Sequence, residues 1–447
     1  MEHYIFYCKL SLLAVLSLIT ACCMLSRRWY VNLAAFLACL SGETFLAHLF
    51  FPGYMLCPAA ASFIILFLSR IWDLSRTPAK GNGADPIRLP VRSGIRESRL
   101  EFYYYYSNFL VYGGAGSGKT KSIGKWLLSE YMRLGFAGFI YDFKDTDYTC
   151  TAYNLIKRHR YPHKFYYVSF DRPERSYRFN PLKVVRDRTE LIQLMEDVLL
   201  ALLPKKEQQN EWVAGGLGIL RGVAFRFWDE FPEHCTLPHI LAFIMTASAR
   251  QLSLFLQQNL VSEMLAGAYL KAEGSEKTQA SYLSTLCNNL ATISQNEEIA
   301  YVLSGDDFDF NLIDPENPKL FAVSNNFSKN SVYAPVISML MTISARQFSM
   351  QNRVPFVYFL DEMTTVNIKN FETLPSVLRE YKAAFILLTQ SGAKLENLYG
   401  KLDRSSVEAN FGNMFLGRTK DVEALKYYPL FFGKEEKERR SRSSGKS

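Results

Sequence analysis

The run GGAGSGKT, Gly113 to Thr120, follows an apolar strand candidate, Phe109 to Tyr112, and precedes a helical pattern from about Thr120 to Leu134. This order constrains the chain more than any other feature. Glycines let the backbone curl with its N–H groups facing inward, and the helix that follows points its positive end at whatever sits in the curl. The spacing G-x-x-x-x-G-K-[ST] is that of a phosphate-binding loop. Its cradle comprises Gly113, Gly114, Ala115, Gly116, Ser117, Gly118, Lys119, Thr120 and Lys121. Lys119 would bridge the β and γ phosphates of a nucleotide such as ATP, and the Thr120 hydroxyl would hold Mg²⁺. A Gly-rich turn before an amphipathic helix is the plain structural reading, and the complete motif with its flanking strand and helix outweighs it.

A second apolar run, VPFVYFLDE from Val354 to Glu362, ends in two carboxylates. Open α/β sheets place their sites at the C-terminal ends of such buried strands. Asp361 is the candidate for holding Mg²⁺ through water, and Glu362 for orienting the attacking water. Four further strand candidates are Phe136 to Tyr141, Lys164 to Phe170, Lys319 to Val323 and Ala384 to Leu388. Alternating with helical stretches, they predict a mostly parallel sheet with helices on both faces. Between Arg188 and about Gln295 the spacing becomes helical throughout, broken at Pro204, Pro232 and Pro238. The expected organisation is therefore a linker over 73–98, a nucleotide-binding domain in two parts over 99–187 and 296–433, an all-alpha insertion over 188–295 and a basic tail over 434–447.

Three smaller features carry two readings each. Asp142 or Lys144, at the end of the strand after the phosphate-loop helix, would support the nucleotide or form an ordinary strand-end turn. Gln390, after the strand AAFILLT, would sense the γ phosphate or make a hydrogen bond at the core edge. Arg379, ending the helix pattern LPSVLREYK, would reach a neighbouring subunit's nucleotide or pair with an acid such as Glu380.

The N-terminal 72 residues are largely apolar. Tyr4 to Leu25, Trp29 to Phe51 and Tyr54 to Leu68 offer two or three spans at about 20 residues per crossing. Arg27-Arg28 and the group Arg70, Arg76 and Lys80 share one side if there are three, in keeping with the positive-inside tendency. These segments predict a multi-pass anchor in the bacterial inner (cytoplasmic) membrane, with the nucleotide-binding part in the cytoplasm. Five of the eight cysteines lie there, and the others, Cys150, Cys235 and Cys287, are scattered, so no disulfide framework is predicted. The six histidines lack the spacing of a structural metal site. A net charge of +8 can steer a polyanion, but it equally solvates a surface or meets anionic lipid, and no base-reading signature accompanies it, so any DNA contact is expected along the backbone.

Taken together, GGAGSGKTKS from Gly113, YDFKD from Tyr141, FNPL from Phe179, the helical insertion, YFLDE from Tyr358 and LREYKAAFILLTQSG from Leu378 resemble the conjugative coupling proteins of type IV secretion systems, the TraG/TraD family. The resemblance implies an α/β fold with a RecA-like P-loop ATPase core, an inserted all-alpha domain and an N-terminal transmembrane helical anchor. It also implies a ring of six identical subunits. Its expected partners are a relaxase–DNA complex, single-stranded DNA, the channel proteins of the secretion system and the membrane, with ATP hydrolysis powering transfer in conjugation. On it, Asp361 and Glu362 match the family's acidic strand end, Gln390 its sensor glutamine and Arg379 the ring's trans arginine. Relatives usually have two spans and a longer C-terminal part, so both ends of this chain depart from the pattern. The alternatives are a DNA translocase of the FtsK class, and a protein-recruitment receptor whose nucleotide site controls assembly.

Overall fold

A computed structural model describes residues 85–93, 96–203 and 207–429 of the chain. Strands β1 (Ile87–Ser93) and β2 (Arg96–Phe102) form an antiparallel hairpin that starts in the stretch read as linker and runs past its expected end at residue 98. The signal was the two-residue alternation of Ile87 and Leu89, both of which are buried. The Arg88 N–H donates to Glu130 Oε2 at 2.8 Å, which ties the hairpin to the helix after the phosphate loop.

Seven parallel strands follow: β3 (Phe109–Tyr112), β4 (Ala137–Asp142), β5 (Lys164–Ser169), β6 (Lys319–Ser324), β7 (Phe356–Leu360), β8 (Ala383–Thr389) and β9 (Asn413–Leu416). Their order across the sheet is β5-β6-β4-β7-β8-β3-β9. Every residue of β3, β4, β6, β7 and β8 is buried, which is why these segments read as continuous apolar runs rather than alternating ones. The edge strands β5 and β9 are only partly covered. Within β8, Ala383, Phe385 and Leu387 face one core and Ala384, Ile386 and Leu388 the other. The second core is closed by α1 (Lys125–Arg133) and α2 (Asp147–His159), through Leu127, Leu128, Tyr131, Tyr148 and Ala152.

The first core continues into a run of helices that includes α3 (Arg188–Ala201), α4 (Glu211–Glu230) and α5 (Glu276–Ser294) and ends at Leu303. Side-chain oxygens of Asp187 and Asn210 accept from N–H groups in the first turns of α3 and α4, so local capping marks where each helix starts. Helix α4 is packed from several sides, and its glycines allow this. A Cβ on Gly215 would lie 2.2 Å from the Tyr282 ring on α5, and one on Gly218 would lie 2.7 Å from the Leu265 carbonyl oxygen. After the helical run the chain enters β6, which inserts between β5 and β4. The sheet is thus interrupted in sequence and continuous in space.

The expected multi-pass location in the inner membrane is corrected: no helix among the described residues is long and apolar enough to cross a membrane. Helix α4 has the length, at 20 residues, but carries Glu211, Arg221, Arg226, Asp229 and Glu230. The apolar segments on which that expectation rested, and the basic tail, lie outside the described residues.

Candidate functional site

Strand β3 ends against two neighbours. The Gly113 N–H donates to the Thr389 carbonyl of β8 at 3.2 Å, and the Gly114 N–H to the Arg418 carbonyl after β9 at 3.0 Å. These bonds fix the root of the loop, and its tip, Ala115 and Gly116, stands exposed. Gly116 (φ 71) and Gly118 (φ 88) occupy the left-handed region, which glycine enters without steric cost. The chain then makes one wide turn, Lys119–Gly124, before α1 begins. Such π-type turns are frequent at functional sites.

Lys119 points inward, only 7 % exposed. Its Nζ donates to the Gly113 carbonyl and lies 3.3 Å from Glu362 Oε1. Burial lowers its pKa, while the Glu362 charge opposes that shift. The two halves of the predicted site, 243 residues apart in sequence, therefore meet through this pair.

Asp361 and Glu362 follow β7 directly. Both Asp361 carboxylate oxygens are buried and have no hydrogen-bond partner. Burial pushes its pKa up to about 7, opposed by Lys144. A carboxylate held this way is well suited to a cation, because an arriving positive charge offsets the cost of its desolvation. With the half-buried Thr120 hydroxyl on the phosphate loop, it forms a donor set of hard oxygens that fits Mg²⁺. Glu362 sits in the left-handed region at φ 46, a strained place for a non-glycine residue, and its Oε2 has no partner. Strand β8 lies between β3 and β7, so Gln390 enters the site from between loop and acids. Its Nε2 donates to Glu362 Oε1 at 3.4 Å.

Asp142 and Arg379 lie outside this hydrogen-bonded group. Asp142 Oδ2 accepts from the Thr149 N–H at 2.8 Å and the Thr149 hydroxyl at 2.9 Å, so this oxygen secures the first turn of α2. Burial raises the Asp142 pKa, and its Oδ1 is left without a partner. Arg379 lies on α6 (Leu374–Glu380), where the chain enters β8. That is the opposite edge of the sheet from the phosphate loop, the length of a seven-residue strand away, about 20 Å at ~3.3 Å per residue. It is exposed and makes no ion pair among the described residues, Glu380 included. Exposed Lys144 stands beside the site, its charge acting on both Lys119 and Asp361. Sequence reading missed the Arg418 carbonyl, since a backbone acceptor leaves no mark on residue type. It also missed Tyr148, whose apolar surroundings disguise it as core.

A family model described as the type IV secretion-system coupling protein DNA-binding domain matches residues 100–447. The chain belongs to this coupling-protein family. Among solved structures, the bacterial conjugative coupling protein TrwBΔN70, in its trigonal form in complex with sulphate, is 16 % identical, with a TM-score of 0.57 over 77 % of this chain and 76 % of that one. Plasmid coupling protein TrwB in complex with ADP and Mg²⁺ is 16 % identical, with a TM-score of 0.56 over 77 % and 75 %. TrwB in complex with the non-hydrolysable ATP analogue ADPNP is 16 % identical, with a TM-score of 0.57 over 77 % and 76 %. Likeness at this identity establishes a shared α/β P-loop fold for this coupling protein. No curated protein matches the chain.

Proposed function

We propose that this coupling protein binds and hydrolyses ATP and uses the turnover to deliver DNA or nucleoprotein to a secretion channel. The observation that carries the reading is the meeting of phosphate loop and acidic strand end, with Lys119 Nζ 3.3 Å from Glu362 Oε1. TrwB, of the same fold, has been seen with ADP and Mg²⁺ and with ADPNP, which supports nucleotide as the ligand.

In this reading the Gly113–Thr120 backbone and Lys119 cradle the phosphates. The Thr120 hydroxyl and Asp361 would hold Mg²⁺, which would supply charge neutralisation to the phosphates. Lys119 exchanges its contact with Glu362 for the phosphate chain. Glu362 is then free to accept a hydrogen bond from the attacking water and orient it, while Gln390 holds the carboxylate from the other side. Arg379 cannot reach its own loop across the sheet, which supports a role on a neighbour's nucleotide in a ring of six. Residues 99–187 and 296–433 form the nucleotide-binding part. The helical insertion, read as 188–295, is assigned as the surface for a relaxase–DNA complex. The family's description as a DNA-binding domain supports single-stranded DNA as a partner.

The test is steady-state ATP hydrolysis by the full-length protein with and without single-stranded DNA, with Glu362→Gln as control. DNA-stimulated turnover that disappears in the variant is expected. Turnover that survives the substitution would overturn the assignment, and turnover indifferent to DNA would favour protein recruitment.

A further inference from the structure

Tyr148, the second residue of α2, is fully buried behind the phosphate loop. Its ring packs on Phe359 of β7 with centroids 4.6 Å apart. Its buried hydroxyl makes no hydrogen bond of full geometry, and Thr120 is the side chain within its reach. Burying a hydroxyl unpaired is unfavourable, and phenylalanine would fill the same space without that cost. The position of the oxygen supplies a reason for it. A Cβ on Gly124 would lie 2.3 Å from it, so it rests against the turn one helical step beyond Thr120, in space that only glycine leaves open. The side chain it faces is Thr120, and the carboxylate of Asp361 acts on it from β7.

We infer that Tyr148 is a positioning residue for the Thr120 hydroxyl, and through it for the divalent cation of the phosphate site. The inference rests on the nucleotide reading proposed above. A threonine hydroxyl that serves a cation must present a lone pair to it and send its hydrogen elsewhere. The Tyr148 oxygen accepts that hydrogen from behind the loop, which sets the direction of the Thr120 lone pairs before a cation arrives. Groups one shell out from a metal commonly orient its ligands in this way. Phe359 and the missing side chain of Gly124 hold the tyrosine at the height this requires.

The experiment is a Mg²⁺ titration of fluorescent ADP binding to the full-length protein, in wild type, Tyr148→Phe, Thr120→Ala and the double variant, with melting temperatures measured in the absence of nucleotide. Tyr148→Phe keeps the ring, so the melting temperature is expected to hold or rise. Its Mg²⁺ half-saturation is expected to rise about tenfold, with ADP affinity in the absence of Mg²⁺ unchanged. In the double variant the Tyr148 substitution should add nothing to Thr120→Ala, as expected for two groups acting as one. A Tyr148→Phe half-saturation equal to wild type would overturn the inference. So would an equal loss of ADP affinity with and without Mg²⁺, which would mark a distorted loop. Wild-type protein that binds no ADP, or binds it without regard to Mg²⁺, would instead overturn the nucleotide reading itself.

Discussion

Glu362 keeps one oxygen for Lys119 and Gln390 and leaves the other unpartnered, on a backbone held in the left-handed region. Replacing it with glutamine preserves size and polarity and removes only the charge that, in the proposed mechanism, orients water. Glu362→Gln is expected to retain ATP while steady-state turnover falls about 10²–10⁴-fold, measured by phosphate release alongside nucleotide binding. Lys119→Ala removes a charged donor from the cradle, so nucleotide affinity should fall on the order of 10–100-fold, the equivalent of ~1.5–3 kcal/mol. A titration showing wild-type affinity would remove Lys119 from the site. The cysteines provide a check on packing away from the site. Burial pushes the Cys235 thiol up to about 12, whereas Cys150 is exposed. The thiolate is the reactive form, so brief alkylation of native protein at pH 8 should label Cys150 and spare Cys235. Mass-spectrometric mapping that finds both labelled equally would contradict the buried environment.

Among the elements, α4 most clearly shows why sequence pattern and packing must be read together. Glycine inside a helix costs ~1 kcal/mol relative to alanine, so four glycines in one 20-residue helix look destabilising when viewed locally. Neighbouring elements account for them. Gly218→Ala gains that propensity, but its Cβ meets the Leu265 carbonyl oxygen at 2.7 Å, and backbone yields less readily than a side-chain tip. Overpacking costs typically ~1–3 kcal/mol, so the variant is expected to melt at a lower temperature than wild type. A higher melting temperature would show that α4 and its neighbour can separate at little cost. Strand positions were easier to anticipate, because continuous apolar runs such as Phe356–Leu360 fit a sheet covered on both faces. The hairpin β1–β2 was harder to see, since only Ile87 and Leu89 carry its alternation within a stretch of prolines, glycines and charges.

For the whole molecule, the sheet separates two edges that the sequence could not tell apart. Lys119, Asp361, Glu362 and Gln390 gather at one edge and Arg379 lies at the other. Arg379→Ala should therefore leave nucleotide binding intact and lower hydrolysis only where subunits assemble, as measured on size-separated fractions. An equal loss in verified monomers would argue against action on a neighbour. The sequence by itself determined the phosphate loop, the acidic strand end and the succession of strands and helices, because each depends on residue type at short spacing. Only the tertiary structure decided that β6 returns between β5 and β4, that β8 carries Gln390 between loop and acids, and that Asp142 holds Thr149. Those outcomes depend on strand order and backbone acceptors, which arise from packing over long sequence separations and leave no local pattern to read.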